Sequence, residues 1–532
     1  MSRRRIRRAW LTTAAAAAAA LAFTGLAVPG HADDLPPDVP RSWIQEPRAT
    51  EGSPTPSLAR DWTAPGGTAS PGDFTLSPGA MNAETTRRVT RLDAVLPKSG
   101  VQNLLAGANR DAQPWCPRDP FGTAPDPDLK YCLENDDSVS REWVPQGFTG
   151  VSDAKDNELW GEAGNIQLFA SYDGWDPGRQ DDPDPGGDCT AGELEDNDAC
   201  NQKGVRVTFV QSRTNPATGS PEVKYRHVLL AWTYVNSADH VSFDGLHASE
   251  YPIQNGVHAG GIVWYGNYLY VADTRNGLRV FDMRYIMDLN PDGDASTNDP
   301  MGADTDGVKT TADVQDKTKV GRHNNVWYSF GYRYVMPQVA AWRFKATQSN
   351  PKGSYACVST GAPKASYISL DRSTVPDRLI MGEYCRPESG YPSTGRIASY
   401  PVADLAGRSA DVPAQGWANY LPMTSGGAQG AAAHAGTLYV NQSKGTDEPG
   451  NLWRYKWSDG RLVQQGQAVK TARGAEDLYV ERGTGRLWSV SEHRPGAASD
   501  CTANPDAGDP AGTDYCQRVL YGHKLSWIDS RP

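Results

Sequence analysis

The sequence predicts an all-β fold, a β-propeller of six blades with disulfide-stapled loop insertions. Three observations predict it. Short runs of alternating apolar and polar residues break at Gly, Asn or Asp, which is strand-and-turn chemistry. One two-strand unit recurs along the chain. The composition is rich in turn formers and aromatics, with 54 Gly, 39 Pro, 16 Trp and 23 Tyr among 532 residues, and has few long apolar runs.

The first 32 residues stand outside the fold. Five arginines, an Ala-rich apolar stretch and small residues up to Ala32 are the parts of an export signal. The Arg7-Arg8 pair also resembles a twin-arginine motif, so a secreted, extracellular protein exported by the Sec or the twin-arginine route is expected. Residues 33–110 begin Pro-, Gly- and Ser-rich, as in "EGSPTPSLARDWTAPGGTASPGDF", and read as an arm or linker. Residues 111–532 are expected to form the propeller.

Eight cysteines fall into four sequence-local couples: Cys116 with Cys132, Cys189 with Cys200, Cys357 with Cys385, and Cys501 with Cys516. None has C-x-x-C spacing, so short disulfide loops are expected, as suits an oxidising compartment. Without the signal the chain carries about 16 more acidic than basic residues, which argues against nucleic acid as a partner. No transmembrane segment is expected after signal cleavage, and a monomer is expected.

The six expected units are read from paired segments. "LFASYDG" precedes "GVRVTFV", "LYVAD" precedes "GLRVFDM", and "YRYVMPQ" precedes "VAAWRF". "LIMGEYC" precedes "GRIASYPV", "LYVNQSKG" precedes "NLWRYKW", and "LWSVSEH" precedes "RVLYGHKLSWI". A twisted four-stranded sheet cannot bury both faces alone, whereas a ring of such sheets buries each against its neighbours. The competing all-β arrangement is a pair of sandwiches.

The stretch "NYLYVADTRNGLRVFDM" resembles the repeat of bacterial exported propellers known from LVIVD-repeat proteins. "RGAEDLYVERGTGRLWSV" is similar to blades of six-bladed lactonase-like propellers. The resemblance covers single blades and implies a fold rather than a reaction.

Candidate chemistry follows from comparing equivalent positions around a ring. His258 lies eight residues before the turn glycine Gly266, and His323 eight before Gly331. Glu476 or Asp477 takes that place in the last unit and about Asp156 in the first. Two imidazoles and carboxylates around one axis suit a metal or general acid–base work. The same residue types also serve as hydrogen-bond caps on strand ends.

Separately, "DLNPDGDASTND" sets Asp288, Asn290, Asp292, Asp294 and Asp299 at positions 1, 3, 5, 7 and 12 of a calcium-type loop, with Gly293 at position 6. It resembles the dockerin version. It departs from the pattern at Ala295 and in lacking a following helix. A structural calcium ion is expected there.

No G-x-S-x-G, H-E-x-x-H, P-loop or G-x-G-x-x-G signature is present, which demotes serine hydrolases, zincins and nucleotide enzymes. Two functions remain. One is a calcium-stabilised hydrolase or lyase acting on an extracellular carbohydrate or small ester, motivated by resemblance to propeller lyases and lactonases. The other is a non-catalytic propeller binding a cell-surface partner.

Overall fold

The computed structural model describes residues 70–532, apart from 114–119, 141, 175–202, 215–218, 220, 247–256, 292–298, 301–309, 351–354, 408–409, 415–417, 424, 446–447, 459–460 and 494–517. The expected export signal, the Pro-rich start of the expected arm and five of the eight cysteines lie outside the described residues.

Apolar–polar alternation produces antiparallel strands, and the strands assemble into five four-stranded blades. Blade I is Trp143–Gly150, Ile166–Asp173, Val205–Thr214 and Pro221–Val235. Blade II is Ile262–Tyr265, Tyr268–Asp273, Gly277–Asp282 and Tyr334–Phe344. Blade III is Tyr367–Asp371, Arg378–Gly382, Arg396–Pro401 and Ala418–Tyr420. Blade IV is Ala428–His434, Thr437–Gln442, Asn451–Ser458 and Arg461–Gln464. Blade V is Tyr479–Glu481, Arg486–Val490, Val519–Lys524 and, returning from the N-terminal side, Leu129–Cys132.

The first strand of each blade is innermost. Each touches the next, from I through V and back to I, so the ring closes on itself. Glycine permits the closest approaches. A Cβ on Gly261 of blade II would stand 2.0 Å from the backbone nitrogen of Ile368 in blade III. One on Gly147 of blade I would stand 2.6 Å from the Gly261 carbonyl carbon, so no side chain fits at either position.

The expectation of six blades is therefore corrected to five. The unit read from "YRYVMPQ" and "VAAWRF" is one continuous strand, Tyr334–Phe344, with nine successive buried residues from Tyr334 to Trp342. It has no turn of its own and completes blade II as its outer strand. Its first residues also pair in parallel with the outer strand of blade I, Val335 opposite Leu229, which joins the two blades into one large sheet.

Residues 70–110 also differ from the expected arm. Helix α1, Asn82–Asp93, buries Val89 and Leu92 in the core that includes Trp342 and Leu229, and helix α2, Gly100–Ala106, buries Val101, Leu104 and Leu105. Asn82 donates to the Ala341 carbonyl at 3.0 Å and accepts from its N–H at 2.8 Å, covering part of the blade II edge. The helical spacing of these apolar residues is what docks the segment.

Of the expected disulfides, Cys357–Cys385 is formed, with Cα atoms 5.6 Å apart. Cys132 is also disulfide-bonded, and its partner lies outside the described residues. No helix among the described residues is long and apolar enough to cross a membrane.

Candidate functional site at the channel mouth

Strands alternate in direction within a blade, so the starts of the inner strands and the ends of the second strands share one mouth of the channel. Blade I brings Gln146 and Tyr172 there, and blade II His258. Blade III brings Lys364 and Tyr384, blade IV Gln429, and blade V Glu476 and Glu492. Gln146 and Gln429 each sit where the inner strand slips register against its neighbour. Bulges of this kind re-aim a side chain.

The groups are linked directly. Glu476, 1% exposed, is hydrogen-bonded to Glu492. Gln429 donates from Nε2 to Glu476 Oε1 at 2.9 Å, and Gln146 from Nε2 to Glu492 Oε1 at 3.2 Å. The His258 ring stacks on Tyr172 with centroids 4.4 Å apart. His493 Nδ1 lies 3.7 Å from Glu492 Oε2, and its buried Nε2 has no hydrogen-bond partner among the described residues. Arg518 fastens the floor: its Nε donates to the Glu492 carbonyl, and one terminal nitrogen donates to the carbonyls of Asp137, Ser140 and Trp143.

Burial raises the pKa of Glu476 well above the ordinary carboxyl range, and the neighbouring Glu492 charge and its hydrogen bond raise it further. Glu476 thus holds its proton more tightly than an ordinary carboxyl group does. His258 opens to channel water, yet protein on every side desolvates the ring. That lowers its pKa against the opposing pull of Glu492, so the imidazole is neutral and able to accept a proton.

Two of the four sequence candidates, His258 and Glu476, therefore meet at this mouth. Asp477 does not point into it. Fully buried, it accepts from the Phe148 N–H at 3.2 Å, and the backbone N–H groups of Leu478 and Ile262 also bear on it. It ties the inner strands of blades V, I and II together.

His323 is elsewhere. It ends a strand of a small separate sheet, Asp299–Pro300, Thr311–Asp313, Val320–His323 and Val326–Ser329, inserted before the last strand of blade II. Its Nε2 lies 2.7 Å from the Val320 carbonyl. Asp156 lies at the opposite mouth, paired with Arg372 at 2.6 Å. Sequence reading missed Glu492, Tyr172 and His493. The ends of second strands, where "SYD" and "SEH" fall, are the signal that would have found them.

The calcium loop is only partly within the described residues. Asp292 and Asp294 lie outside them, and Asp299 is described in backbone alone. Asp288 is engaged: Arg333 holds both of its oxygens, at 2.7 and 2.8 Å, and its Oδ1 accepts from the Asn290 N–H at 3.0 Å. A cation would have to displace that guanidinium from its first ligand. Thermal unfolding with and without a chelator is accordingly expected to give midpoints within about 2 °C of each other, since one kcal/mol moves a midpoint by a few degrees in a domain this large; a larger drop on chelation would identify a stabilising ion. The one compact cluster of ligand-type side chains among the described residues, Cys357, Glu383 and Cys385, is unsuited to a metal. Its thiols form the disulfide, and Glu383 is held by Arg396 at 2.8 Å.

Fold and mouth together define a class, a five-bladed β-propeller with a carboxyl pair and an imidazole at one end of its channel. Within it, residues 256–283 match the family model of the LVIVD repeat, which spans most of the first three strands of blade II. No curated protein matches the chain. Among solved structures the chain is similar to the RS223 β-xylosidase, at 9% identity and a TM-score of 0.27 over 71% of this chain and 91% of that one. It is also similar to the GH43_1 enzyme of Xanthomonas citri complexed with xylose, at 10% identity and 0.26 over 72% and 88%. A third is PhoX of Pseudomonas fluorescens in complex with vanadate, at 10% identity and 0.31 over 80% and 100%.

Proposed function

We propose that the chain is a secreted hydrolase or lyase acting on an extracellular carbohydrate or ester through acid–base chemistry at this mouth. The observation that carries the reading is the hydrogen-bonded Glu476–Glu492 pair beside a Tyr172-stacked His258, with Gln429 and Gln146 each fixing one carboxyl group.

Two carboxyl groups held together, one of them with its pKa raised, divide the labour of bond cleavage. Glu476 gives its proton to the leaving oxygen. Glu492, or the neutral His258 beside it, takes a proton from the attacking water in a hydrolase, or from the carbon next to the scissile bond in a lyase. The export signal and the Cys357–Cys385 disulfide support an extracellular location. The calcium loop is not needed for this chemistry.

The test is to profile the secreted mature chain against polysaccharides, lactones and phosphoesters beside the Glu492→Gln variant. Turnover of at least one class is expected, falling about 100-fold or more in the variant. Turnover that survives the substitution would remove Glu492 from the chemistry, and none by the parent chain on any class would leave the non-catalytic binding propeller as the better reading.

A further inference from the structure

Blade III presents at the same mouth a group that the acid–base chemistry does not use. Tyr355 and Tyr384 stand edge to face, with centroids 5.6 Å apart. The Arg386 guanidinium lies 5.5 Å from the centre of the first ring and 5.6 Å from that of the second. Tyr355 is 61% exposed, and Arg386 is exposed as well. Several buried guanidinium groups of blades I to III are matched by carboxylates: Arg206 by Asp137, Arg279 by Asp273, Arg396 by Glu383. Arg386 forms no ion pair with a carboxylate among the described residues.

The group is fastened in place. The Cys357–Cys385 disulfide joins the segment bearing Tyr355 to the one bearing Tyr384 and Arg386, and the Arg386 N–H donates to the Tyr355 carbonyl at 3.0 Å. Lys364 comes from beneath, its Nζ donating to the Ala356 carbonyl at 3.1 Å.

Its distance from the carboxyl pair is short in structural terms. The Cys385 carbonyl accepts from the Gly427 N–H at 2.7 Å, and two residues further on Gln429 holds Glu476. The Tyr384 hydroxyl is pushed up to about 12, by burial first, with Glu476 contributing.

We infer that Tyr355, Tyr384 and Arg386 form a subsite for an anionic sugar, so that the substrate of the adjacent Glu476–Glu492 pair is a glycan carrying carboxylate groups. A guanidinium fork takes a carboxylate through two parallel hydrogen bonds, and an exposed tyrosine face stacks on the apolar face of a pyranose. In a chain with an excess of acidic residues, an exposed cation beside the reacting groups, with no carboxylate ion pair among the described residues, selects for the opposite charge.

This inference rests on the acid–base reading, and its test is arranged so that the two can fail separately. Binding is measured by calorimetry on the Glu476→Gln protein, which keeps the mouth but not the chemistry. The probes are a uronate oligosaccharide, its carboxyl-reduced counterpart and a sugar phosphate. The uronate is expected to bind about 10-fold or more tightly than the reduced form, with that preference lost in the additional Arg386→Gln variant. Tyr355→Ala is expected to weaken charged and neutral forms alike.

Preference for the phosphate over the uronate would keep the anion subsite and overturn the carboxylate assignment. Equal binding of charged and neutral forms, no binding of any charged probe, or a preference that survives Arg386→Gln would overturn the subsite. None of these results bears on turnover by the parent chain, which decides the acid–base reading.

Discussion

Replacing Glu476 by glutamine is expected to lower turnover by about 10²- to 10⁴-fold, the usual contribution of a positioned general acid, with little change in fold. Gln429 can still bond the new amide, so the side chain stays in place while its transferable proton is gone. The pH profile should change with it. In the parent chain, activity is expected to fall as rising pH strips the proton from Glu476, and the Gln variant should lose that limb.

Stability moves in the same direction for the same reason. A carboxyl group whose folded pKa is raised favours the fold fully below its unfolded value, here 4.5, and loses that contribution as pH rises through the folded value. The melting temperature of the parent chain should therefore decline above weakly acidic pH more steeply than that of Glu476→Gln. Parallel declines, with unchanged turnover, would remove Glu476 from the mechanism.

The second large effect is on folding. Asp477→Ala is expected to destabilise the protein by about 3 kcal/mol, because it leaves the backbone N–H groups of Phe148, Leu478 and Ile262 at the ring centre without their acceptor. Asp477→Asn should cost only about 1 kcal/mol. Burial already raises the pKa of this carboxyl group well above its usual range, and an amide oxygen can serve the same donors. Denaturant midpoints of the two variants check this. Equal losses would mean that Asp477 acts through its charge rather than as an acceptor.

Much of the fold was legible because each blade repeats a local signal. In "IVWYGNYLYVADTRNGLRVFDM" the alternation and the Gly266-Asn267 turn, with Gly266 at φ 59°, specify a hairpin from residues that touch one another. The blade count was not legible. Any long strand interrupted by polar residues imitates two short ones, as Tyr334–Phe344 does.

His323 was drawn into the candidate set by a similar ambiguity. A strand, a turn and an aromatic describe any hairpin, and the Asn324-Asn325 turn, with φ 48° and 66°, belongs to the inserted sheet. Glu476 and His258 were legible because both precede inner strands. Glu492 was not, because its partnership with Glu476 depends on blade V folding back on itself rather than on a position shared among blades. Arg386 carried no motif at all: its neighbours Tyr355 and Tyr384 become a pair only through a disulfide across 28 residues.

The outermost strand of blade V, Leu129–Cys132, pairs with Val519–Lys524, a strand made far later in synthesis. Until that later strand exists blade V is incomplete and the circle has a gap. Contacts of such sequence separation are slow to form, because the chain entropy of closing the loop is lost before any contact repays it. The order of manufacture thus places closure late: the channel mouth, and with it any activity, is acquired only once Val519–Lys524 has been made and has paired with a strand synthesised long before it.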